Sequence, residues 1–174
     1  MTSAWTSVPV PLPVPVKEGT IPRTKPFTTN IFLYLMQPVV TFDFDETLFS
    51  LSDEKVGMLW AASEVLVPIQ KIHDLVLEKH KEGYIIDIVT SREAYDMDEV
   101  KQYIEAYDLP IRHTECTRGR PKSPVLKAIG SILHVDDSLI VGIDCHKNDI
   151  PFLLVDDGKH KDNSTADLFD RIHI

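Results

Sequence analysis

The sequence predicts an α/β fold, a Rossmann-like three-layer sandwich around a mostly parallel central sheet. Three observations predict it. Short β-rich apolar runs alternate with stretches of helical periodicity, cap and turn residues separate them, and several runs end in acidic or hydroxyl side chains. Alternating strands and helices return each strand parallel to the last and cover both faces of the sheet.

In chain order, residues 1–30 read as a proline-rich extension. Pro9, Pro11, Pro13 and Pro15 alternate with aliphatic residues, which removes backbone donors and favours an extended arm. Residues 31–174 form the globular domain. Val39–Phe44 is a continuous apolar run suited to a central buried strand. Phe49–Pro68 is a connection of about twenty residues, with Val56, Leu59 and Trp60 on the apolar side of one short helix. A helix over Ile69–Glu82 follows, with Ile69, Ile72, Leu75 and Val76 at helical spacing and Gly83 as its stop. Tyr84–Val89 is a strand. Asp96–Tyr107 is a helix whose Asp96 and Glu99 form a capping-box pattern, with Met97, Val100, Ile104 and Tyr107 on one face. Leu109–His113 is a short strand, and Ser123 with Pro124 opens a helix through Ala128. Strands are expected at Ser131–Val135 and Pro151–Val155, an exposed loop over Asp156–Asp162 and a closing helix over Thr165–Ile172.

Bulk composition narrows the function classes. A chain of 174 residues can bury one substantial core without disulfide staples. Its 18 basic and 27 acidic residues leave a net charge of −9, which argues against indiscriminate coating of nucleic acid or anionic lipid. Cys116 and Cys145 are too few for a disulfide framework, so a reducing compartment is expected. No apolar run reaches membrane-spanning length, and Gln37 and Pro38 break the nearest one. The expectation is a soluble, cytoplasmic protein with no membrane partner. Oligomeric state stays open. His113, Cys116, Cys145 and His146 match no regular zinc spacing and are set aside.

In parallel α/β sheets ligands sit beyond the carboxyl ends of the strands. Asp43 and Asp45 end the first core strand, and residues two apart on a strand share a face. Thr90, Ser91 and Arg92 follow the second strand, Lys122 precedes a helix, and Asp136 and Asp137 end a later strand. Crowded carboxylates repel unless a cation intervenes. An all-oxygen donor set without a His/Cys cluster points to Mg2+ rather than zinc. Any one of these Asp residues could merely cap a turn, but the set in this order is hard to explain that way.

Asp43-Phe44-Asp45-Glu46-Thr47, then Val89-Thr90, then Lys122, then Asp136-Asp137 resembles the four ordered motifs of the haloacid dehalogenase (HAD) superfamily. The resemblance spans about Val39–Val155. It implies a HAD-like phosphatase in which Asp43 is the nucleophile and Asp45 the general acid and base. Thr90 and Ser91 would contact phosphate, with Lys122 neutralising charge. Asp43, Asp137 and the Asp45 carbonyl would ligate magnesium, with Asp136 supporting the site. Two departures stand out: Val141 occupies the place of a further acidic residue common in the fourth motif, and Lys127 competes with Lys122. Lys122 is preferred because it precedes its helix.

Little or no cap domain fits in this chain, and an uncapped site is open to large substrates. Thr90-Ser91-Arg92-Glu93 resembles the second motif of the polynucleotide 3′-phosphatase branch, which implies that Arg92 binds substrate; Arg118, Arg120 and Lys122 read as a basic approach to the site, with Arg118 and Arg120 as further substrate-binding residues. The expected partner is therefore a phosphorylated substrate, either a nucleic-acid end or a nucleotide. Small-molecule and phosphoprotein phosphatases are the alternatives. A receiver domain carries its acidic pair early and its accepting Asp mid-chain, the reverse of the order here. A catalytically silent HAD-fold binding protein is the non-enzyme alternative.

Overall fold

The computed structural model describes residues 37–51, 66–160 and 164–174. The proline-rich extension and the short helix expected around Val56–Trp60 lie outside these residues. Six parallel strands build the main sheet: β1 (Val39–Phe42), β4 (Ile85–Thr90), β5 (Ile111–Cys116), β6 (Ser131–Asp136), β7 (Phe152–Asp156) and β8 (Asp170–His173). Their order is β5-β4-β1-β6-β7-β8. The chain leaves β1 toward β4 and β5, then crosses back to β6 on the other side. This reversal opens a crevice at the carboxyl ends of β1, β4 and β6.

All four residues of β1 are buried, as a central strand covered on both faces requires. Successive side chains of a strand face opposite ways, which separates the core into two parts. Ile88 and Val155 join Phe42, Ile72, Val76 and Val100 on one face. Val89 and Leu154 join Leu126, Cys145 and Phe152 on the other. Helices α1 (Gln70–Lys81) and α2 (Met97–Ala106) cover the first face, while α3 (Ser123–Ile129) and α4 (Leu139–Lys147) cover the second. The fold is an α/β three-layer sandwich.

Several boundaries differ from the sequence reading for local reasons. The capping box lies one turn earlier, between Glu93 and Asp96, around a 3-10 turn over Ala94–Asp96. Ser123 is the first residue of α3 rather than its cap; the Asp144 carboxylate accepts from its N–H at 3.2 Å. A cap reaching over from a neighbouring helix has no local sequence signature. The connection after β1 begins and ends as an antiparallel ribbon, β2 (Phe49–Leu51) with β3 (Leu66–Pro68).

The expected closing helix is absent. Residues 166–168 form one 3-10 turn, and Asp170–His173 is β8, which pairs with β7. Pairing satisfies backbone groups that β7 would otherwise present at an edge. β7 is thus not the last strand, and Asp156 is its buried final residue rather than part of an exposed loop.

Helix α4 is not among the elements the sequence predicts, and it contains Gly142. A Cβ there would sit 2.8 Å from Phe152 Cε1 and 3.1 Å from Phe169 Cε2. Alanine usually stabilises a helix interior by about 0.5–1 kcal/mol over glycine. Here the rings are packed against each other with centroids 5.1 Å apart and have little room to yield. Gly142→Ala is expected to destabilise the fold by about 1–3 kcal/mol in urea unfolding. A gain in stability would show that the rings move freely.

Candidate active site

The register of the central strands sets the site. Phe42 lies level with Ile88 on β4 and with Val135 on β6, so Asp43 and Asp136 extend from neighbouring strands at the same height. The Asp43 N–H donates to the Val135 carbonyl at 2.8 Å, continuing the ladder one residue past β1. One oxygen from each of Asp43, Asp136 and Asp137 lies within 4.8 Å of the others.

Lys122 closes this group from the turn before α3. Its ammonium donates to Asp43 Oδ1 at 2.5 Å and to Asp136 Oδ2 at 2.7 Å, with only 3% of its side chain exposed. Lys127 instead projects outward and bonds Asn148 Oδ1 at 2.9 Å. Five residues, about one and a half helical turns, separate these lysines, and only the first reaches the carboxylates.

Electrostatics divide the acids. Burial pushes the Asp43 carboxyl up to about 7, against the pull of Lys122, and the charge on Asp136 adds to the rise. For Asp136 burial acts upward too, but Lys122 and the His134 hydrogen bond outweigh it and bring the group to about 2. Burial and the neighbouring Asp136 raise Asp137 to about 6. Burial works against the charge of Lys122, yet the two carboxylates hold it above its ordinary range.

Asp45 takes a different partner from Asp43. The strand ends at Phe42, and the chain bends at Phe44 and turns through Glu46 at φ 53°, so the two-residue alternation stops there. Arg92 donates to both Asp45 oxygens, through Nε at 2.9 and 3.1 Å and Nη2 at 2.7 Å. Its other Nη donates to Glu99 at 2.7 Å, and the guanidinium lies 5.0 Å from the Phe44 ring centroid. Arg92 therefore braces Asp45 from the turn after β4.

The remaining expected residues spread around this centre. Thr90 is buried, and its hydroxyl accepts from the Arg92 N–H at 3.2 Å. Ser91 is exposed at the rim. The Thr47 hydroxyl accepts from the Asp137 N–H at 3.1 Å, which ties the turn after β1 to the end of β6. Arg118 and Arg120 are exposed on the loop after β5; the Gly119 N–H of that loop donates to the Ser91 carbonyl at 3.0 Å. Lys122, in contrast, is buried within the carboxylate group and does not form part of an exposed basic surface.

His134 is not among the residues that the sequence motifs single out. It is fully buried on β6, with Nε2 3.1 Å from Asp136 Oδ2 and Nδ1 2.9 Å from Thr41 Oγ1. Burial lowers its basicity. Its signal was available, because a residue two before Asp136 on a strand shares that carboxylate's face. Asp136 is thus held by Lys122, His134 and the Ser138 N–H.

No protein-family model matches this chain, and no curated protein matches it.

Proposed function

We propose that the protein is a magnesium-dependent phosphohydrolase of the HAD type, acting on a phosphate monoester. The observation that carries this reading is one lysine bridging two buried carboxylates, Asp43 and Asp136, at adjacent strand ends, with Asp137 beside them. The motif resemblance, Asp43-Phe44-Asp45-Glu46-Thr47 above all, supplies the chemistry.

The donor set fits a hard divalent cation. Asp43, Asp136 and Asp137 present only oxygens, spaced as ligands around one small ion would be. When bound, Mg2+ would offset the crowded negative charge and polarise the phosphoryl oxygens. Asp43 attacks phosphorus through a carboxylate oxygen, the ester P–O bond breaks, and Asp45 gives a proton to the departing alkoxide. Water then attacks the aspartyl phosphate. Asp45 takes the water's proton, the Asp43–phosphorus bond breaks, and inorganic phosphate leaves.

Lys122 offsets charge on Asp43 and on the transferring group, while Thr90 and Ser91 stand on the phosphate side. Arg92 occupies both Asp45 oxygens, so the leaving oxygen must displace one of those bonds to meet the acid. An incoming phosphate competes for the same guanidinium, which makes substrate binding the event that frees Asp45.

Phosphate release is to be measured with Mg2+ on a 3′-phosphorylated oligonucleotide, free nucleotides, a phosphopeptide and sugar phosphates. Magnesium binding should weaken as pH falls from about 7 through 6, because Asp43 and Asp137 must lose protons to bind the ion. Calorimetric titration at several pH values checks this. Affinity that holds steady across that window would remove these two acids as ligands, and no release from any ester would remove the hydrolase.

A further inference from the structure

We infer that the cleft between the loop preceding α3 and helix α4 binds the alcohol half of the ester, and that it selects an alcohol with an apolar face and a second anionic group. This inference rests on the phosphohydrolase reading. A cavity of about 500 Å³ opens there, rimmed at one end by Ser91 and Lys122. Ser91 follows the phosphate-side Thr90, and Lys122 holds Asp43, so the cavity begins where the ester bond would lie.

The wall formed by α4 has two chemical halves. Ile140 and Val141 in its first turn present apolar surface, and Ile140 is 80% exposed. Lys147 lies on the same face of the helix seven residues on, about 10 Å along the axis. Across the cleft, Arg120 spends its Nε on the Thr117 carbonyl at 3.2 Å and keeps its terminal nitrogens for a ligand. Neither Arg120 nor Lys147 forms an ion pair with a carboxylate among the described residues. The acid in the cleft, Asp144, accepts from the Ser123 N–H and the Asn148 amide.

Two cations beyond the catalytic lysine, together with an apolar shelf, complement a body with one greasy face and a second negative charge. A cavity of this size suits a small molecule or a single terminal residue rather than an extended peptide. A free nucleoside bisphosphate and the last nucleotide of a 3′-phosphorylated strand share that chemistry.

The test uses the full chain carrying Asp43→Asn, which holds ligand without turnover, titrated calorimetrically with Mg2+ present. Adenosine 3′,5′-bisphosphate should bind at least about tenfold tighter than adenosine 3′-monophosphate. Adding Lys147→Ala with Arg120→Ala should reduce that advantage to about threefold or less, and Ile140→Ser should weaken both ligands. Equal affinities in the parent, an advantage that survives the double alanine change, or no binding at all would overturn the cleft assignment. A 3′-phosphorylated dinucleotide that binds tighter than the bisphosphate supports the cleft with a strand end as its occupant; weaker binding supports it with a free bisphosphate. Charge-dependent binding by the native chain without phosphate release from any substrate would overturn the hydrolase reading and leave the cleft standing.

Discussion

Asp43→Asn is expected to lower phosphate release by about 10³-fold or more while leaving the fold intact. The amide matches the carboxylate in shape and can still face Lys122, but it cannot form the aspartyl phosphate. The same change should also alter stability, and the sign follows from linkage. The folded Asp43 holds its proton up to about 7, whereas its ordinary value is 3.8. The native state therefore binds this proton more tightly than the unfolded chain does. Its contribution is present below the ordinary value and is lost as pH rises through 7. Relative to native protein, metal-free Asp43→Asn should gain stability across that interval and hold the gain above it. Urea unfolding at a series of pH values, without Mg2+, reads the difference. A variant that keeps turnover would remove Asp43 as nucleophile, and a relative loss of stability with rising pH would contradict its strained, buried charge.

Lys122→Met should produce the largest loss of stability of any single change at the site. The methylene stem is largely kept, but two buried carboxylates lose the ammonium 2.5 and 2.7 Å away. Breaking a buried pair by removing one partner costs about 3–5 kcal/mol, because the surviving charge remains desolvated. The loss should be greatest above about pH 7, where Asp43 is ionised, and smaller in mild acid, where it holds a proton. Mg2+ should recover part of it by mass action on the same carboxylates. Unfolding curves with and without the ion test both statements. Equal destabilisation with and without saturating Mg2+ would mean that the ion binds elsewhere. The parallel change Lys127→Met should leave stability nearly unchanged, since among the described residues that exposed ammonium bonds only the Asn148 side chain.

The contrast between Asp43 and Asp45 is one of charge partners. The two acids stand two residues apart, yet one meets a lysine 79 residues on and the other an arginine 47 residues on. A nucleophile and an acid-base group with separate cations can be released separately. In the proposed cycle Lys122 stays beside Asp43 throughout, while Arg92 exchanges Asp45 for the substrate. Glu99 keeps Arg92 in reach during that exchange through its bond to the second guanidinium nitrogen.

Much of this molecule was legible in its sequence because the relevant signals are local. Two-residue alternation, helical spacing and left-handed glycine stops such as Gly83 fix strands and helices by short-range sterics. Those elements, in alternation, force a parallel layered sheet and deliver Asp43, Thr90, Asp136 and Asp137 to its carboxyl edge. What the sequence could not reveal are the pairings made when distant segments meet. Asp45 turning to Arg92, Lys122 reaching Asp43 and Asp136, Asp144 capping α3 and β8 covering the edge of β7 each depend on a second segment arriving at a given height and angle. A side chain's face is set by its own backbone, whereas its partner is chosen by the free energy of the assembled core. For that reason the gathering of acidic side chains at the strand ends was foreseeable, and their division between two cations became visible only in the folded protein.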